Sequence, residues 1–170
     1  MRLTPPAWPR VLPTGLVLAL ATLGPLGRRL PAPGTWGSLA GLLYFVVFFA
    51  HAPIGAVIGA SIVGLYLAVG FCGEAEVRLR KSDPGEVILD EVIVMPLCFL
   101  GWRTLPGVAP TWVFLLLGFG LFRFFDILKP LGIARLQSLP GGWGVVADDA
   151  AAALAACATL HLGVWAWTKF

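Results

Sequence analysis

Long uncharged runs separated by short polar clusters set the pattern of this chain; they cover residues 11–27, 30–73, 104–122 and 150–168. A helix of about 20 apolar residues spans a hydrocarbon core, so each of the last three runs holds at least one crossing. Within the second, His51-Ala52-Pro53 separates a short apolar arm over 38–50 from a full span over 54–72. The short arm would cross incompletely or begin below the interface. Gly37-x3-Gly41 and Gly55-x3-Gly59 lie at spacings that let helix backbones approach closely. A polar connector is expected over 73–86, then a short helix over 87–100 with Asp90 and Glu91 near its start, and a turn over 101–110. Residues 111–125 predict another span, stopped at Lys129-Pro130 because proline cannot continue a helix. A Gly/Pro-rich connector over 131–144 leads to the last span, 145–167, where Trp165 and Trp167 suit an interfacial belt.

Composition agrees. The 170 residues are 58% hydrophobic and only 12% charged, with mean hydropathy +0.87, and they leave no room for a soluble second domain. The expected fold class is all-α: one polytopic helical membrane domain over 1–170, with about four spanning or partly spanning helices and an N-terminal interfacial segment over 1–30. Arg2 and Arg10 precede the apolar residues 11–23, which match a signal-peptide core in length. No small-residue cleavage site follows, so a retained interfacial or re-entrant segment is expected. A net charge of +3 without a Lys/Arg-rich tract argues against nucleic acid. Cys72, Cys98 and Cys157 lack metal-ligand spacing and read as small apolar packing residues. Cys72-x5-Arg78 has the spacing of a cysteine phosphatase loop, but Glu74 and Glu76 inside it would repel phosphate.

Counting crossings sorts the polar clusters by side. Arg28, Arg29, Arg78, Arg80, Lys81, Lys129 and Arg135 fall on one face, Arg103 and Lys169 on the other. The first face is therefore expected to be cytoplasmic. It also receives Pro33-Gly34-Thr35-Trp36-Gly37-Ser38, the stretch ending in Asp90-Glu91, the Arg123–Pro130 segment, and the glycine-rich run ending in Asp148-Asp149.

All nine carboxylates lie between Glu74 and Asp149. Ionised groups at membrane depth are costly and read by default as a functional site. Asp90, Glu91, Asp126, Asp148 and Asp149 come from three helices and cannot all stay charged at close range without a cation. Oxygen ligands favour Mg2+, Mn2+ or Ca2+, and Mg2+ characteristically completes its shell with waters and phosphate oxygens. Arg123 and Asp126 share a helix face, so Arg123 reads either as their ion pair or as a bidentate phosphate clamp. Lys129 is a cytoplasmic cation at the headgroup. Thr35 or Ser38 suits a helix N-cap, and the amides around Gly34 and Gly37 suit a phosphate group. His51 lies on the wrong face and His161 about 18 Å along a helix from Asp149, so a histidine nucleophile is not expected.

In these four motifs, and in their order, the chain resembles the phosphatidylglycerophosphatase A family, from about residue 33 to the end of the last span. The resemblance implies a Mg2+-dependent inner-membrane phosphomonoesterase, with its active site facing the cytoplasm, that converts phosphatidylglycerophosphate to phosphatidylglycerol in phospholipid biosynthesis. Asp90, Glu91, Asp126, Asp148 and Asp149 would hold Mg2+. Arg123 and Lys129 would act on the phosphate, and Gly34, Thr35, Gly37 and Ser38 would contact it or the glycerol. The nucleophile, a water or a carboxylate, stays open, as does the oligomeric state. Gly132 and Pro140 depart from the family pattern and bear on loop shape. The alternative is a small transporter or proton-coupled protein that uses the same acids as an ion path.

Overall fold

The computed structural model describes residues 4–107 and 109–169, and every regular element among them is helical. Arg2, the first of the N-terminal cations, lies outside the described residues. Seven α-helices follow in order: α1 Thr14–Ala21, α2 Pro25–Arg29, α3 Pro33–Phe48, α4 Ile54–Leu79, α5 Leu89–Cys98, α6 Thr111–Leu128 and α7 Gly142–Trp167. A 3-10 turn at Trp8–Val11 precedes α1, and others at Trp102–Thr104 and Ile133–Ser138 lie between α5 and α6 and between α6 and α7. The all-α membrane architecture is as expected. Three helices, α4, α6 and α7, are long and apolar enough to cross a membrane.

Helix boundaries differ from the sequence reading in three instructive places. The first arm starts at Pro33 rather than Ser38, because proline at the first helical position loses no intrahelical bond. The N-cap is Ala32 in the left-handed region, and neither Thr35 nor Ser38 caps the helix. The second span runs on to Leu79, so Glu74, Glu76 and Arg78 stand on α4 rather than in a connector. Arg78 pairs with Glu74 at 2.9 Å, one turn away, which lets the helix carry charge past its apolar stretch. The last span begins at Gly142, drawing the glycine-rich run into its first turn.

The short helix α5 is the axis of the molecule. It packs against α3, α4 and α7, while α6 lies mainly on α7. Ten residues rise only about 15 Å, half a hydrocarbon core. Glycines set how closely the neighbours come. A side chain at Gly37 would meet the Ile88 Cβ at 2.9 Å, and one at Gly41 would meet Met95 Cβ at 2.8 Å. Helices α3 and α5 therefore run in the same direction nearly backbone to backbone, with α5 starting about one turn deeper. On the other side, a Cβ at Gly142 would sit 2.0 Å from the Val69 carbonyl oxygen, fixing the start of α7 against α4. At the opposite end of the bundle Phe45 stacks on Phe99 with ring centroids 4.5 Å apart, and Arg103 donates to the His51 carbonyl at 3.2 Å. The N-terminal helix α1 is too short to cross. It packs on α4, and its Ala21 carbonyl accepts the Ile88 amide at 2.9 Å, just ahead of α5.

Candidate active site

Because α5 starts deep, the starts of α3, α5 and α7 and the end of α6 enclose a cavity of about 300 Å³. Its walls carry Asp90 and Glu91 from α5, Asp126 from α6, Asp148 and Asp149 from α7, and the cations Arg123 and Lys129. Ala32, Pro33, Gly34 and Thr35 form part of its rim. Residues up to 117 positions apart in sequence thus share one wall, as the crossing count implies. Asp90, Asp148 and Asp149 are buried.

The charges fall into two groups. In the first, Nη1 of Arg123 donates to Asp126 Oδ2 at 2.7 Å and Ser38 Oγ at 3.2 Å, and reaches Glu91 Oε2 at 3.4 Å. Ser38 Oγ donates to Glu91 Oε2 at 2.6 Å and lies 2.8 Å from the Gly34 carbonyl. Of the two readings of Arg123, the structure contains the ion pair: Nη1 holds the carboxylates, while Nε and Nη2 make no protein hydrogen bond among the described residues. In the second group, Lys129 reaches back from the end of α6 to Asp148 Oδ2. It does so from the left-handed backbone region at φ 43°. Burial disfavours the Lys129 charge, yet Asp148, Asp149 and Asp126 outweigh it and hold the ammonium pKa above its ordinary value. The other Asp148 oxygen, Oδ1, is buried and has no hydrogen-bond partner among the described residues. Asp90 Oδ1 accepts the Glu91 amide at 3.0 Å.

Gly34 and Thr35 line the cavity, whereas Gly37 and Ser38 lie beneath it. Ser38 is fully buried against Glu91, and a Cβ at Gly37 would stand 3.0 Å from Glu91 Oε2. These two position a carboxylate instead of forming cavity wall. A Cβ at Gly34 would sit 2.5 Å from Glu91 Oε1, so a larger residue there would require that carboxylate to move.

Sequence reasoning passed over one wall residue, Asp83. It sits at φ 46° between α4 and α5, its amide donates to Glu76 Oε1 at 2.8 Å, and its Oδ2 accepts Gln137 at 3.1 Å. The signal was present in Asp83-Pro84-Gly85, a turn sequence directly ahead of Asp90. Nothing in helical periodicity indicates that this turn folds over the cavity.

Among the described residues, no three histidine, cysteine or carboxylate side chains converge as a ready metal cage. Arg123 and Lys129 hold three of the acids instead. The alternative of an ion path is not favoured: among the described residues, the interior below the cavity, toward the Arg103 end, is a cluster built mainly of Phe, Leu, Val and Ala side chains. His161 stands there, Nδ1 at 3.0 Å from the Cys157 carbonyl, away from the acids.

The family model for phosphatidylglycerophosphatase A matches residues 19–164, starting inside α1 and so earlier than the motifs that begin at Pro33. A Haemophilus influenzae protein named phosphatidylglycerophosphatase A is 34% identical over 125 residues, 73% of this chain and 74% of its own length. The Escherichia coli protein of that name is 30% identical over 133 residues, 76% and 72% respectively. A Bacteroides thetaiotaomicron protein, provisionally named a phosphatidylinositol-3-phosphatase, is 28% identical over 137 residues, 79% and 84%. No solved structure gives a significant match. With the match running through all the helices that build the cavity, the chain belongs to the phosphatidylglycerophosphatase A family of phosphoric monoester hydrolases.

Proposed function

We propose that this chain is a Mg2+-dependent phosphatidylglycerophosphatase of the bacterial inner membrane. It takes the terminal phosphate from phosphatidylglycerophosphate at the cytoplasmic face and yields phosphatidylglycerol for phospholipid biosynthesis. One observation carries this reading: five carboxylates and two cations from three helices line a single cavity open at one end of the bundle. Two relatives that bear the phosphatidylglycerophosphatase name support the substrate. The concentration of basic residues around the same end supports a cytoplasmic orientation.

The residues fit a hard divalent cation. Every acidic donor is oxygen, and Asp148 Oδ1 is a buried acceptor with unmet capacity. Asp90, Asp148 and Asp149 would hold the ion, with Glu91 and Asp126 completing its surroundings. A bound Mg2+ would supply Lewis acidity toward a phosphate oxygen, whether the attacking group is a water or a carboxylate. The protein does the rest by placement. Arg123, anchored through Nη1, presents Nε and Nη2 as a two-pronged donor for phosphate. Lys129, whose ammonium the surrounding acids keep protonated against burial, would offset charge that develops on the phosphate. The rim at Gly34 and Thr35 brings backbone close to the headgroup, while the acyl chains stay in lipid.

The test is phosphate release from phosphatidylglycerophosphate by the detergent-purified protein, with Mg2+ and with chelator. Activity is expected to vanish with chelator, return on adding Mg2+, and fall about 1,000-fold in Asp148→Asn. Chelator-resistant release, or a fully active Asp148→Asn, would overturn the metal site.

A further inference from the structure

We infer that Arg28 and Arg29, at the mouth of the cavity, form a second anion site that binds the internal phosphodiester of the lipid substrate and so selects headgroups carrying two phosphates. This rests on the proposed phosphatase reading and adds what that reading leaves unassigned. The substrate bears a terminal phosphomonoester and, one glycerol away, a phosphodiester joined to the membrane-embedded diacylglycerol. The cavity accounts for the first. Its walls hold five acids besides Asp83, and its two cations already face carboxylates, so a second phosphate has no place inside.

The mouth offers what the interior lacks. Arg28 and Arg29 are exposed and make no ion pair or side-chain hydrogen bond among the described residues. They are not adrift. Gly27, directly before them, donates to the Thr22 carbonyl at 2.9 Å, and a Cβ there would lie 2.1 Å from the Glu86 carbonyl oxygen. Helix α2 is thereby locked against the Glu86 segment, whose neighbours Gly85 and Val87 line the cavity. Three residues after Arg29 the chain reaches Ala32 and Pro33, which line it from the other side. Arg28 lies within electrostatic reach of Glu86, but neither guanidinium has a hydrogen-bonded partner among the described residues, and both stand on a fixed support between two stretches of the rim. Lys81 completes the basic edge, bound to Glu86 at 3.1 Å and largely exposed. Guanidinium suits a phosphodiester because its paired donors match two non-bridging oxygens.

The experiment compares wild type, Arg28→Gln/Arg29→Gln and Arg28→Lys/Arg29→Lys in neutral-detergent mixed micelles, with and without a fixed excess of phosphatidylserine. For phosphatidylglycerophosphate, the Gln variant is expected to raise KM about tenfold with kcat unchanged. The Lys variant should recover most of that loss. Inhibition by inorganic phosphate, which occupies the cavity alone, should keep the same Ki in all three proteins. The KM effect should persist without phosphatidylserine. An unchanged KM, an effect seen only when phosphatidylserine is present, or an equal rise in the phosphate Ki would overturn the inference. Failure of the underlying phosphatase reading is separate and visible in the wild-type arm, as absence of phosphate release.

Discussion

The two charged groups in the cavity differ in how completely they are satisfied. Around Arg123, Ser38, Glu91 and Asp126 close a network in which each charge has an opposite or a hydrogen-bond partner within 3.4 Å. Around Lys129, one cation faces Asp148 while Asp90 and Asp149 lie buried nearby and an oxygen of Asp148 has no partner among the described residues. A buried carboxylate without compensation is expensive. The first group is therefore preorganised, which is what the phosphate clamp proposed for Arg123 would need. The second has unmet capacity, and it is there that the proposed divalent cation would bind.

The comparison is open to direct attack. The largest effect is expected in the unsatisfied group: Asp90→Asn should lower phosphate release about 1,000-fold and sharply raise the Mg2+ concentration needed for half-activity, checked by metal titration. Next, Arg123→Lys should cost about 100-fold in kcat. A lysine cannot hold Asp126 with one nitrogen and offer two more to phosphate. The Mg2+ requirement of that variant should stay within about twofold of wild type if the groups are separable. A shift as large as that of Asp90→Asn would show that they act as one. The smallest effect is expected from Ser38→Ala, which leaves Glu91 and Arg123 in place but removes the bridge between them. About 1–2 kcal/mol of stability should be lost, read as a lower thermal midpoint in detergent, with roughly tenfold slower turnover. Full activity with unchanged stability would remove Ser38 from the network.

Much of this was legible in one dimension. The uncharged runs marked α4, α6 and α7, since a chain without charges over that length has few other places to go. Asp90-Glu91, Asp126 and Asp148-Asp149 stood out because charge beside such runs is costly. Boundaries were less legible. The span ending at Cys72 continues to Leu79 because Glu74 and Arg78 neutralise each other on the helix surface, an effect hydropathy does not register. Ser38 resembled a cap and is instead a buried bridge, since Pro33 already starts the helix. Asp83 was hidden for a related reason: a turn has no periodicity to say what it folds over.

By itself the sequence determined that acids from distant segments meet at one membrane face, because each apolar span must carry the chain across and so alternates its ends. Only the tertiary structure decided which acid meets which cation. That pairing depends on the depth and rotation of each helix, which the close backbone contacts at Gly37, Gly41 and Gly142 impose. Contacts of that kind link residues far apart in the chain, and no local pattern records them.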